Sequence, residues 1–420
     1  MRVWEYGSVG VTGQVCIGIE EPVDVFAEVA HISGSVLLES QAGGRYSAIY
    51  TEPFEVLYPG SAFDALRKTL ARHRASPAEG TLSEGAIGYL GYEVHRFLEN
   101  SPVTAGDDIG LPDHWLGLYD KAIVFRNESK SRSKSMSMRG RANKIPLMSS
   151  FSKAEYLEAV RRVKDYIAAG DVYQVNLSQR FSTPLEIDPW DMYLLLRERN
   201  PAPYAAYINA GDFQIISSSP ECFLTLDPIS RRVETRPIKG TRPRSADPIE
   251  DDRLARELES SEKDMAENVM IVDLERNDLG RVCEFGSVKV PELALIESHP
   301  TVHHLVSRVT GRLRDDCDSI DLLTATFPGG SITGAPKIRA MEIIAELEPV
   351  RRGVYTGSIG CLGFDGSANL SIAIRTAIVK DGMCHFHVGG GIVADSDPES
   401  EYQETLDKGR AFMEVLGCRI

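Results

Sequence analysis

Between its Asp-Gly pairs, the segment DGSANLSIAIRTAIVKDGMCHFHVGGG (Asp365–Gly391) alternates apolar and polar or small residues. A period of two puts Leu370, Ile372, Ile374, Thr376 and Ile378 on one face of a strand. Asn369, Ser371, Ala373, Arg375 and Ala377 fall on the other. Asp365-Gly366 and Asp381-Gly382 read as hairpin turns, so antiparallel strands are predicted here. Other segments follow the helical period. SEKDMAENVMIVDLERND predicts a helix starting near Ser260 or Ser261, and SDPESEYQETLDKGRAFMEVL a second, capped by Asp397 with Pro398 in its first turn. Tyr402, Leu406, Met413 and Leu416 form the apolar stripe of that second helix. FPGGSITGAPKIRAMEIIAELEP runs from a Gly-rich turn into a helix with Pro336 at its first position. Helices and strands do not alternate as regular βαβ units. The class expected is α+β, with large antiparallel sheets and packed helices.

One stretch breaks the pattern. NESKSRSKSMSMRGRANK (Asn127–Lys144) is polar, basic and nearly free of apolar residues, and reads as a linker or surface loop. With its flanks (127–149) it separates an N-terminal region, 1–126, from a larger part, 150–420; no repeat of fixed period is evident. Its cations lack interleaved aromatics, which speaks against RNA binding. The whole chain of 420 residues carries a formal charge of -15, with 42% hydrophobic and 25% charged residues. That is a globular composition whose acidity argues against non-specific nucleic-acid binding. No apolar run is long enough for a membrane span, and the start MRVWEYGSVG lacks a signal-peptide pattern. Seven scattered cysteines without C-x-x-C oppose a disulfide framework or cysteine zinc site and fit a reducing, cytoplasmic setting.

Candidate chemistry is mostly carboxylate and cation. Glu401, Glu404 and Lys408 fall within roughly 60° of one another on the last helix. Two carboxylates so spaced need a cation, either Lys408 or a hard ion such as Mg²⁺. Glu267, one turn after Lys263, reads alone as half of a surface ion pair. It matters if it converges with Glu401 and Glu404. Arg375 lies on a face of small side chains, where a guanidinium has room to grip a carboxylate. Gly389-Gly390-Gly391 lets backbone N–H groups approach a ligand. His303, His304, His385 and His387 lack the partners of a zinc site and read as structural or hydrogen-bonding. ETRPIKGTRPR (Glu234–Arg244) sets Lys239 among Arg236, Arg242 and Arg244, a solvated loop or an amine aimed at an anion.

In this order GDVYQVNLSQRF, SSSPECFL, ETRPIKGTRPR, MAENVMIVDLERNDLGRV, FPGGSITGAPKIRAMEII, SIAIRTA and GGGIVADSDPESEYQETLDKGRA resemble the chorismate-utilising enzymes over roughly residues 150–417. VLLES (Val36–Ser40) and GAIGYLGYE (Gly85–Glu93) resemble the amino-terminal region of the anthranilate and aminodeoxychorismate synthase large subunits. The resemblance implies two large, mostly antiparallel sheets packed face to face with helices outside. It implies Glu267 and Glu404 as Mg²⁺ ligands with Glu401 as a further or water-mediated one. Tyr355 and Arg375 would hold the enolpyruvyl carboxylate. Gly240, Thr241, Gly389, Gly390, Gly391 and Lys408 would surround the ring carboxylate. Glu221 would be the general acid at the ring C4 hydroxyl, and His304 would lie near the reacting ring.

Two positions separate the branches. Isochorismate and salicylate synthases carry a water-activating lysine where this chain has Gln174. Anthranilate synthases carry alanine where it has Lys239, and the P-I-K-G-T form is similar to the aminodeoxychorismate synthase branch, in which that lysine is a covalent nucleophile. Burial and nearby cations lower a lysine's pKa; Arg236, Arg242 and Arg244 are the candidate cations. The resemblance implies ammonia delivered from glutamine by a separate amidotransferase subunit, component II. Ser40, Pro203, Tyr204 and Ala205 resemble positions lining a tryptophan pocket in related subunits. An anthranilate synthase component I, and more remotely a non-catalytic tryptophan-binding subunit, are the rival expectations.

Overall fold

The computed structural model describes residues 14–16, 21–41, 46–57, 62–76, 82, 84–98, 105–126 and 145–418. Most of the expected basic linker, 127–144, lies outside them. Its last residues are drawn into the fold: Ile145 bridges Cys418, and Met148–Ser149 pairs with the strand Gln174–Pro184.

Among the described residues two large sheets form, antiparallel except where Gln14–Cys16 pairs with Ile123–Arg126. In the first, the order is Gln14–Cys16, Ile123–Arg126, Tyr46–Tyr50, Ser35–Glu39, Tyr204–Asn209, Phe213–Ser219, Thr376–Lys380, Met383–Ile392, Gln174–Pro184, Gly334–Ala335. In the second it is Ile238–Pro243, Val302–Arg312, Arg232–Arg236, Cys222–Leu226, Ala368–Ile372, Ser358–Gly363, Gly85–Leu90, His114–Tyr119, Glu55–Leu57. Lys289–Ser298 adds to Val302–Arg312. Strands from before and after the linker therefore share both sheets.

Their inner faces meet in one apolar layer. Val36, Tyr50, Ile208 and Ile378 of the first sheet pack with Ile87, Trp115 and Ile359 of the second. Burial of such side chains, each contributing about 1.5–3 kcal/mol, is what joins the sheets. Helices cover the outer faces. Pro189–Arg199 and Pro398–Leu416 lie on the first sheet. Glu262–Gly280 and Ser319–Thr326 lie on the second.

Both expected helices form. Ser261 caps Glu262–Gly280, accepting from the Asp264 N–H. Asp397 caps Pro398–Leu416, accepting from the Ser400 N–H. Pro336 is the N-cap of Lys337–Leu347, one position before the place expected, because its extended backbone precedes the first helical residue. Both Asp-Gly turns form. Asp381 and Gly382 have φ of 51° and 73°, as a tight hairpin between Thr376–Lys380 and Met383–Ile392 requires.

One expectation fails. NLSIAIRTAIV is not one strand. It splits into Ala368–Ile372 in the second sheet and Thr376–Lys380 in the first, and Arg375, φ 49°, lies in the crossing between them. The alternation holds within each half, but the three-residue crossing resets the faces. A second crossing lies beside it. The chain leaves Phe213–Ser219 of the first sheet and enters Cys222–Leu226 of the second through Pro220 and Glu221. The Ile372 N–H donates to the Glu221 carbonyl (3.1 Å) and the Ser218 N–H to the Arg375 carbonyl (3.0 Å), tying the crossings together.

Candidate functional site

Ile238–Pro243 pairs with Val302–Arg312, Ile238 opposite Val306 and Thr241 opposite His304, and the register shifts between those pairs. The irregularity falls on Lys239 and Gly240. Gly240 has φ 80°, and a Cβ there would stand 2.8 Å from Leu258 Cδ1 and 2.9 Å from Asp264 Cγ, so the bulge needs glycine. It turns Lys239 inward, where Nζ donates to the Ser331 carbonyl (3.1 Å). Burial lowers the Lys239 pKa, with the nearby Lys408 charge acting the same way; Glu267, Glu221 and Glu404 oppose them.

The three arginines expected to tune Lys239 do not. Arg236 pairs with Glu297, Arg242 with Glu257 and Asp264, and Arg244 with Asp251. Acidic side chains on the covering helices and the neighbouring strand draw these guanidiniums away, and the lysine's cationic neighbour is Lys408.

Glu221, 3% exposed, sits at the chain's crossing between sheets, which takes its carboxyl into the interior. Burial raises its pKa to about 7, against the Ser331 side chain, Lys239 and the Ile238 N–H. It is therefore a carboxyl able to give up a proton near neutrality. His304 is buried with Nδ1 2.8 Å from Thr241 Oγ1. Burial and the Arg375 charge hold it well below its ordinary pKa, so it is neutral.

Two of the acids, Glu267 and Glu404, act on the Lys239 amine through space. Glu267 accepts from Gln174 Nε2 (2.9 Å). Glu401 accepts from Ser396 Oγ (2.6 Å) and has Lys263 Nζ at 4.0 Å. Glu404 pairs with Lys408 (2.6 Å), whose Nζ also donates to the Gly389 carbonyl (2.9 Å). Burial raises the pKa values of Glu267 and Glu401, whereas Lys408 lowers that of Glu404. A Cβ on Gly390 would stand 3.2 Å from Glu401 Oε2 and 3.3 Å from Glu404 Oε1, and one on Gly391 would fall on the Gln174 amide. The glycine run thus leaves room for the two carboxylates. Among the described residues no group of three or more His, Cys, Asp or Glu side chains is close enough to hold a metal. Lys263, Lys408 and the Gln174 amide partner the acids instead. The donors are all carboxylate oxygens, which suit a hard divalent cation.

Arg375 donates to Asn200 Oδ1 (3.2 Å). Burial alone lowers its pKa, and no carboxylate pairs with it among the described residues. A buried guanidinium without a counter-ion is costly and accommodates an incoming carboxylate. Tyr355 is buried, and its ring stacks on His387, centroids 5.1 Å apart and planes 11° apart.

Three contributors escaped the sequence reading. The Ser331 carbonyl has no side-chain signature. Lys263, read as a surface partner of Glu267, reaches Glu401 on a different helix. Arg352 and Glu348 form a buried bidentate pair, Nη2–Oε1 2.6 Å and Nε–Oε2 2.8 Å. Glu348 also accepts from Ser178 N–H and Oγ (2.8 and 2.9 Å). Its four-residue spacing from Arg352 was the available signal, obscured because Pro349 ends the helix between them.

Ser40, Pro203, Tyr204 and Ala205 come together beside these groups, with Pro220 and Cys222, on either side of Glu221, in the same lining. They line a cavity of about 830 Å³ between the sheets, shared with Arg236 and His299.

The family described as chorismate binding enzyme matches residues 35–414. Aminodeoxychorismate synthase component 1 of Salmonella typhimurium is 48% identical over 79% of this chain and 76% of that protein. The Bacillus subtilis protein of the same name is 40% identical over 91% of each. Anthranilate synthase component 1 of Streptomyces coelicolor is 42% identical over 94% of this chain and 86% of that protein. The crystal structure of anthranilate synthase component I from Streptococcus pneumoniae superposes with a TM-score of 0.77 at 32% identity, covering 88% of this chain and 92% of that one. The two-sheet architecture is thus that of chorismate-utilising enzymes. With most of its length matched in sequence and in fold, the chain belongs to the family of chorismate binding enzymes.

Proposed function

We propose that this enzyme converts chorismate and ammonia to 4-amino-4-deoxychorismate through a covalent intermediate on Lys239. The observation carrying the proposal is the inward-turned Lys239 amine, lowered in pKa by burial, bonded to the Ser331 carbonyl and near enough to the neutral-range acid Glu221 for each group to act on the other's charge. The uncharged amine forms a bond to ring C2. The two ring double bonds shift toward C4, and the C4 hydroxyl leaves as water with the proton of Glu221. Ammonia then bonds to C4, the double bonds shift back, the C2–lysine bond breaks, and Glu221 recovers a proton. Arg375 and Tyr355 hold the enolpyruvyl carboxylate. Gly240, Thr241, Gly389, Gly390, Gly391 and Lys408 surround the ring carboxylate, and His304 lies beside the ring as a neutral donor or acceptor. Glu267 and Glu404, with Glu401 directly or through water, would hold Mg²⁺. When bound, that ion withdraws charge from the ring carboxylate. Gln174 has no basic nitrogen with which to activate water, which disfavours isochorismate formation.

The relatives' designation as component 1 supports a partner that supplies ammonia from glutamine, and the product belongs to 4-aminobenzoate and folate synthesis. No helix among the described residues is long and apolar enough to cross a membrane; a cytoplasmic setting is proposed on the scattered cysteines without C-x-x-C. The cavity at Ser40, Pro203, Tyr204 and Ala205 is proposed for tryptophan on its size and position.

The test omits ammonia. With chorismate and Mg²⁺, the intact mass should rise by chorismate less water, and the adduct should map to Lys239. An adduct elsewhere, or full activity in Lys239→Ala, defeats the covalent step. Free ammonium salts should support turnover without the partner. The 42% identity to an anthranilate synthase component 1 favours one other reading, a lyase releasing pyruvate. Product mass separates them, because 4-amino-4-deoxychorismate keeps its enolpyruvyl group.

A further inference from the structure

Tyr355 stands in a column of flat groups. The Arg352 guanidinium carbon lies 4.8 Å from the Tyr92 ring centroid and 5.8 Å from that of Tyr355. The other partner of Tyr355 is the His387 imidazole, parallel at 5.1 Å. All four residues are at most 4% exposed. Arg352 is fixed by Glu348 and by the carbonyls of Asn176 (2.6 Å) and Ile332 (3.1 Å). The His387 backbone is held in its strand, opposite Arg180 and two residues before Gly389, and its ring is placed by the stack on Tyr355. The column therefore runs from the N-terminal region through Tyr355 to the strand carrying the glycine run. Burial raises the Tyr355 phenol's pKa, while Arg352 and Glu348 act on it only through space; no hydrogen bond is found for its hydroxyl among the described residues. The phenol's orientation is thus set by its ring faces, not by its hydroxyl. Burial, and then the charges of Arg180, Arg352 and His385, hold His387 well below its ordinary pKa, so it is uncharged. A neutral flat ring can stack on the phenol; a protonated one would face two guanidiniums.

We propose that His387 is a positioning residue for Tyr355, its imidazole fixing the plane of the phenol that holds the substrate carboxylate. This rests on the assignment of Tyr355 to that carboxylate. Neighbouring aromatic planes contribute modestly, so the effect is on the order of fivefold in substrate affinity.

The experiment is steady-state kinetics with chorismate, saturating ammonium and Mg²⁺ on His387→Leu, His387→Phe, Tyr355→Phe and the double variant His387→Leu/Tyr355→Phe, each checked by thermal melting. His387→Leu, which keeps bulk but loses the plane, should raise KM for chorismate about fivefold with kcat within twofold. His387→Phe, which keeps the plane, should stay within twofold of the parent in both. The double variant should be no worse than Tyr355→Phe. If Tyr355→Phe raises KM but His387→Leu does not, or if their effects multiply, the positioning role is overturned. If Tyr355→Phe leaves KM unchanged, the carboxylate assignment fails instead, and the inference with it. Should His387→Leu not fold, His387→Gln, polar but without a ring, is measured in its place with the same expectations.

Discussion

Lys239 and Glu221 place opposite demands on protonation. The amine works only without its proton and the carboxyl only with one. Burial lowers the first group's pKa and raises the second's to about 7. The rate should therefore rise with pH as Lys239 deprotonates and fall as pH passes about 7 and Glu221 ionises. Glu221→Gln should cut kcat by about 10²–10⁴ and erase the alkaline limb; an unchanged limb would assign it to another group. Glu275 presents the same physics without a reactive role. It is buried against Thr235 Oγ1 (3.0 Å), and burial, then the Glu221 charge, pushes its pKa up to about 8. The folded protein thus holds a proton on Glu275 that the unfolded chain has released, from about pH 4.5 upward. That contribution opposes folding increasingly as pH rises through this window, by roughly 5 kcal/mol above pH 8. Glu275→Gln should flatten the decline of Tm between pH 5 and pH 9. Equal slopes in parent and variant would remove Glu275 from the account.

At the scale of elements, neighbouring glycines of Met383–Ile392 have different reasons to lack a side chain. A Cβ on Gly389 would stand 2.5 Å from the Leu177 carbonyl oxygen, which is backbone in the adjoining strand and cannot yield. On Gly390 it would meet only the flexible ends of Glu401 and Glu404. Gly389→Ala should lower Tm clearly. Gly390→Ala should fold nearly as well as the parent but require about tenfold more Mg²⁺ for half-maximal rate. The reverse pattern would mean that the glycine run serves packing alone. Much at this scale was legible beforehand. Ser261 and Asp397 cap their helices because short polar side chains satisfy free N–H groups wherever they occur, and Asp-Gly turns need only local chemistry. The break at Arg375 was not legible. Alternation reports faces, and it continues across a change of sheet as if nothing had happened. The arginines around Lys239 misled for a related reason: sequence proximity to an amine says nothing about acids arriving from other elements, such as Asp251, Asp264 and Glu297.

At the scale of the whole molecule, the N-terminal region completes the sheets. Ser35–Glu39 covers the edge of Tyr204–Asn209, and Gly85–Leu90 covers that of Ser358–Gly363. A fragment beginning at residue 150 would expose both edges and part of the apolar layer between the sheets. It should aggregate or lack cooperative unfolding, and recover when residues 1–126 are supplied on a separate chain. A soluble, cooperatively melting fragment would contradict this. Sequence order hid the arrangement, since the polar linker suggests separation whereas strand pairing interleaves its two sides.

Glu221 and Arg375 occupy two adjacent places among those where the backbone passes from one layer to the other. A guanidinium and an acid anchored on that seam are spaced by the alignment of the layers themselves. Any substitution that lets one layer slip along the other, however far from the pocket, should weaken substrate capture and proton delivery together, before global unfolding becomes measurable.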